Sequence, residues 1–146
     1  MSAPTDVPQP PPGPEPSGPN RTVDLLLRVA AGLISVVAAV VTGGLELMFA
    51  TLRVGGHLIG LSVLLAVLAN LALSWFAYHG VGRKGAVALP AIVWFGLMVP
   101  AAGGTREGDY LLAGNNWVGM AMIIAGAMTF AVVGFKLVMS PPPSIR

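Results

Sequence analysis

The chain contains no cysteine, which excludes disulfides, thiolate metal sites and cysteine nucleophiles. Only two histidines are present, too few for a histidine-rich metal centre. Charge is scarce: eight Lys and Arg with six Asp and Glu make up 10% of 146 residues, where a soluble domain carries about a quarter. The few basic residues are scattered and form no stripe, so nucleic acid is not an expected partner. Phosphate-binding loops of the G-x-x-x-x-G-K-[ST] kind, G-x-G-x-x-G turns, H-E-x-x-H pairs and G-x-S-x-G elbows are all missing. The expectation is a chain with no catalytic, cofactor-binding or metal-binding residues, and no enzyme.

What is abundant is apolar surface. Hydrophobic residues make up 55% of the chain and the mean hydropathy is +0.79. A surface of that kind must face lipid, and the bilayer is the first expected partner.

Residues 1 to 23 hold eight of the 13 prolines. Such a stretch cannot build a core and reads as a disordered, partly polyproline tail. Four apolar segments follow, over about 24–52, 56–79, 85–102 and 113–138, ahead of a short C-terminal tail at 140–146. Spanning hydrocarbon takes about 20 helical residues, so each segment suffices. Pro90 and Pro100 make the third the one most open to a kink. The predicted fold is all-α: a disordered tail, then a four-helix transmembrane domain over 24–139 packed as an antiparallel bundle. With four spans, the termini and the middle loop share a side carrying six Lys and Arg, against two on the other. The positive-inside rule then places both termini in the cytoplasm.

Spacing shows which faces pack. Ala31, Ser35, Ala39 and Gly43 recur every fourth residue, a small-residue stripe suited to close helix packing. Leu33, Val36, Val40 and Leu47 fall opposite and are expected to meet lipid. The stripe runs on into Glu46, roughly 10 Å deeper than Arg53 at 1.5 Å per residue. An acid there is costly unless it pairs, meets water or takes a proton, and is a functional candidate by default. Arg53 and Arg106 are its candidate partners. In the second span Val63, Ala66, Asn70, Ser74 and Ala77 share a side, so Asn70 points inward and is expected to hydrogen-bond across helices. Gly56 and Gly60 have G-x-x-x-G spacing, which next to Gly55 also suits a turn. His57 reads as an interfacial residue.

The stretch from Pro100 to Gly119 concentrates Arg106, Glu107 and Asp109 within four positions. They read as a stop signal and loop, with a recognition surface as the sharper alternative. Asp109 or Glu107 is a candidate partner for Arg53. Asn115 and Asn116 can cap the fourth helix.

Two resemblances bear on these residues. Small multidrug-resistance transporters also have four helices and a working Glu in the first. Their Glu sits nearer mid-membrane in an aromatic-bearing helix, whereas Glu46 comes late among Gly43, Gly44 and Leu47, so that role is not carried over. Over most of its length the chain resembles small four-span integral membrane proteins of mycobacteria and other actinobacteria. The Pro-rich leader, the Ala/Val/Gly-rich spans and the loop TREGDYLL at 105–112 carry that likeness. It implies location and architecture and assigns no activity. The functional expectation is a non-catalytic accessory or scaffold subunit with a membrane-protein partner or a second copy of itself. The alternative is a small oligomeric transporter or channel with Glu46 in its pathway.

Overall fold

A computed structural model describes residues 20–103, 112 and 116–140. Four α-helices account for most of them: α1 (Arg21–Ala50), α2 (Leu61–Val81), α3 (Ala88–Ala102) and α4 (Trp117–Met139). Counting the turn at Lys84–Val87 with α3, all four are long and apolar enough to cross a membrane. Of the expected tail at 1–23, residues 1–19 lie outside the described residues and Arg21 to Val23 are helical; the C-terminal residues 141–146 and Arg106, Glu107, Asp109 and Asn115 also lie outside them.

Each boundary has a local cause. The first helix starts at Arg21, three residues ahead of the expected Asp24, and places that acid in its first turn. An acid there complements the exposed N–H groups of the helix start. The helix stops at Ala50, two residues before the expected Leu52, because the next residues form a β-hairpin that takes in the expected loop at 53–55 and the expected start of the second span. Strand β1 (Arg53–Val54) pairs antiparallel with β2 (His57–Leu58). Gly55 and Gly56 turn it with φ of 60° and 84°, a left-handed pair that suits the twist of a two-residue hairpin loop. The Gly56–Gly60 spacing is therefore turn and strand, not a helix-packing motif. His57 is an exposed strand residue, and α2 starts five residues later than position 56.

At its other end α2 closes on Gly82, whose φ of 72° provides the left-handed C-cap. A 3-10 turn over Lys84–Val87 leads into α3. Pro90 sits in the first turn of α3, where a missing N–H costs nothing, and Pro100 in the last, so neither breaks the span. Helix α4 ends at Met139, with Ser140 extended ahead of Pro141. Lys84 Nζ donates to the Ser140 carbonyl over 2.7 Å and ties that end to the α2–α3 turn.

Helix α1 packs on α2 and α3, and α2 also packs on α4. The contacts give the directions. Gly80 near the end of α2 lies against Ala31 near the start of α1, so these two run antiparallel. Gly32 faces Leu89 while Gly43 faces Leu97 and Met98, so α1 and α3 run the same way. Asn116 at the start of α4 reaches the carbonyl of Ala50 at the end of α1. The bundle thus has a hairpin end and a turn end.

Ala31, Ser35, Ala39, Gly43, Glu46 and Ala50 are the buried residues of α1. The small-residue stripe is consumed inside the chain: a Cβ on Gly43 would lie 2.9 Å from Leu97 Cδ1, and one on Gly80 would meet the Ala31 Cβ at 2.7 Å. Leu33 and Val40 are exposed as expected for the opposite face. Leu47 is not: it packs against the core formed by Ala50, Ala66, Trp94, Met98, Leu112, Met122 and Phe130.

Candidate functional site

Glu46 and Asn70 are both fully buried, and both belong to a polar group at the centre of the bundle organised by Trp94. Trp94 Nε1 donates to Glu46 Oε2 over 2.7 Å. An indole N–H buried in apolar surroundings needs an acceptor, and a buried carboxyl needs donors; each meets the other's requirement.

The indole is held on several sides. On α1, a Cβ at Gly43 would sit 3.8 Å from Trp94 Cδ1. On α4, a Cβ at Gly126 would overlap the indole ring and lie 2.9 Å from Asn70 Nδ2. Phe95 lies edge-on to it and Phe130 is tilted against it, at centroid distances of 5.1 and 5.8 Å. Helices α1 and α4 therefore close on one side chain of α3 beside Asn70 of α2, and Gly126 makes the room.

Not every polar atom here is matched. Glu46 Oε1, both side-chain atoms of Asn70, and the hydroxyls of Ser62 and Ser74 are buried without a hydrogen-bond partner among the described residues. The cross-helix bond expected of Asn70 is not formed among the described residues: the side chain is buried as the spacing required, yet its amide finds no hydrogen-bond partner there. Ser35, by contrast, turns its hydroxyl back onto the Gly32 carbonyl at 2.8 Å.

The other candidates are dispersed. Arg53 is exposed on β1, away from the buried carboxyl, and among the described residues the one ion pair joins Arg28 to Asp24 at 2.9 Å. No pairing of Glu46 with Arg53 exists, because α1 ends at Ala50 and the hairpin carries Arg53 outward. Any pairing with Arg106, or of Arg53 with Glu107 or Asp109, falls outside the described residues. Leu112, from the same loop, is buried against Gly119 and donates its N–H to the Ala101 carbonyl over 3.3 Å.

Asn116 does more than cap. Its Oδ1 accepts from the Gly119 N–H at 3.0 Å while its Nδ2 donates to the Ala50 carbonyl at 2.9 Å. One side chain therefore serves the start of α4 and the end of α1.

Trp94 is not among the candidates that the spacing of the sequence singles out. The signal was available: a tryptophan placed mid-span needs an acceptor, and Glu46 was the one acid deep in any span. What could not be read was that the two helices bring them to the same height.

Among the described residues no three His, Asp or Glu side chains gather to hold a metal ion. No protein-family model, curated protein or solved structure matches the chain. Four helices long and apolar enough to cross a membrane are compatible with the class of multi-pass membrane proteins.

Proposed function

We propose that this protein is a multi-pass protein of the bacterial inner membrane, with its termini in the cytoplasm, acting as a non-catalytic accessory or scaffold subunit of a membrane complex. Its bundle lies antiparallel across the bilayer, and its partner is another membrane protein or a second copy of itself. The observation that carries this reading is the seating of Glu46. A carrier must expose and re-cover the group that binds its cargo. Here the buried acid is bonded to Trp94, which is wedged against Gly43, Gly126, Phe95 and Phe130. Moving it would disturb the packing of every helix. An acid built in this way acts as a fastening.

Because the stripe Ala31–Gly43 is spent within the chain, enlarging it would unfold the bundle before it reported on a partner. The informative experiment is affinity purification from native membranes in mild detergent. A stoichiometric membrane-protein partner, or a homo-oligomer, supports the reading; a monomer with no retained partner overturns it.

A second reading, a small oligomeric transporter or channel with Glu46 in its pathway, is favoured by the unpartnered Glu46 Oε1 and Asn70 amide. Glu46→Gln separates the two readings, since glutamine keeps an acceptor for Trp94. Reconstituted vesicles that lose flux while the bundle stays folded would establish the transporter.

A further inference from the structure

We propose that the turn end of the bundle carries a binding groove for one anionic phospholipid. The groove lies where the first three turns of α1 meet the end of α2 and the start of α3, and has a volume of about 540 Å³. The inference holds whether the bundle is a scaffold or a carrier and requires only that it lie in a membrane.

The rim is cationic. Arg21, Arg28 and Arg83 line it, opposed by the single carboxylate of Asp24. That acid is already engaged, because Arg28 Nε donates to Asp24 Oδ2 at 2.9 Å. Arg28 Nη1 donates in turn to the Val81 carbonyl at 3.2 Å. The guanidinium can approach the chain there because Gly82 has no side chain: a Cβ would stand 2.9 Å from Arg28 Nη1. Arg28 is thus fixed in place with Nη2 unused among the described residues. Arg21 and Arg83 make no side-chain hydrogen bond to any described residue, and both are exposed. Planar guanidiniums with free donors suit phosphate oxygens, which they bind in paired hydrogen bonds.

The floor is apolar and points to a lipid. Val29, Gly32 and Leu89 line its deeper part. From Arg21 to Gly32 the groove descends roughly 16 Å along α1 at 1.5 Å per residue. At Gly32 the floor is narrow: a Cβ there would already touch Leu89 Cδ1 at 3.6 Å and Val81 Cγ2 at 3.9 Å, so a longer side chain would fill it. A free phosphate would use the rim and have no need of this floor. A phosphoglyceride uses both, with its phosphate among the arginines and an acyl chain along Val29 and Leu89. Basic pockets between helix ends at a membrane surface take anionic headgroups for this reason.

The test uses the full chain in uncharged detergent, with binding followed by native mass spectrometry. Phosphatidylglycerol, phosphatidylcholine and glycerol 3-phosphate are compared. Phosphatidylglycerol should bind at least tenfold more tightly than phosphatidylcholine, and glycerol 3-phosphate far more weakly than either lipid. Arg21→Gln with Arg83→Gln should weaken phosphatidylglycerol about 25-fold, at about fivefold per arginine, and weaken phosphatidylcholine much less, because its choline cation already offsets the phosphate charge that the arginines attract. Gly32→Leu fills the floor without altering charge and should weaken the long-chain lipid alone. Equal binding of the two lipids overturns the proposal, as does glycerol 3-phosphate binding as tightly as phosphatidylglycerol, which would make the site one for free phosphate. Should the double variant fail to fold, salt gives the answer on the unaltered chain. Raising ionic strength from 0.01 to 1 M, which shortens the screening length about tenfold, should abolish the preference for phosphatidylglycerol; a preference that survives overturns the cationic rim.

Discussion

Trp94 Nε1 and Glu46 Oε2 stand 2.7 Å apart, joining α3 to α1 across 48 residues of chain at the point where α2 and α4 also close in. A single donor and a single acceptor, both withdrawn from solvent, make this the bond whose loss the bundle should register most clearly.

Replacing Trp94 with Phe keeps most of the ring and removes the donor. The buried Glu46 oxygen is then unpaired, at an expected cost of about 1–3 kcal/mol. Glu46→Gln, which preserves an acceptor, should cost less than Trp94→Phe. Unfolding of both variants in detergent, followed by circular dichroism, gives the order. Equal stability of Trp94→Phe and the unaltered protein would remove the bond from the account of the fold.

Gly126→Ala places a methyl group into the Trp94 ring and against Asn70 Nδ2. Overpacking a site closed by an aromatic ring costs about 1–3 kcal/mol. Gly134→Ala is the control in the same helix, since a Cβ there meets nothing within 4 Å, and it should be neutral or mildly stabilising. Midpoint shifts of the same size for the two would show that the indole is not held where described.

Asn116 has separable tasks. Asn116→Ala loses the cap on Gly119 and the donor to Ala50, with about 1 kcal/mol expected from the cap alone. Asn116→Asp keeps the acceptor and loses the donor, so it should restore α4 while leaving the end of α1 loosened. Hydrogen exchange at Gly119 and around Ala50 reads these independently. Protection that falls at both places in Asn116→Asp would contradict the division.

The absence of cysteine makes topology accessible to single-cysteine labelling. Arg53→Cys in the hairpin and Arg83→Cys in the α2–α3 turn lie at opposite ends of α2. An impermeant thiol reagent added to sealed, right-side-out vesicles should modify Arg53→Cys and spare Arg83→Cys. Modification of both from one side would mean that α2 does not cross.

The number of long apolar helices was legible in the sequence because it depends on a local quantity, the run of about 20 apolar residues that a membrane-crossing helix requires. The inward face of α1 was legible for a similar reason. A period of four places Ala31, Ser35, Ala39 and Gly43 on one side wherever the helix lies, and they are the buried ones. Glu46 and Asn70 were placed inside by the same periodicity.

Periodicity gives an angle around one helix. It does not give the height or rotation of the neighbour, and there the sequence reading stopped. That Trp94 and not Arg53 reaches Glu46, that Asn70 faces a glycine and an indole instead of a hydrogen-bonding partner, and that Asn116 serves two helices all depend on how α3 and α4 slide against α1 and α2. Close approach at Gly43, Gly80 and Gly126 sets that sliding. The hairpin at 53–58 shows the same limit on a smaller scale: Gly55 and Gly56 marked a turn, but only the chain's return to α2 decided that strands would flank it. The grouping of Arg21, Arg28 and Arg83 around one groove was likewise the work of the tertiary structure, since helix packing alone brings residues so far apart in sequence to a common rim.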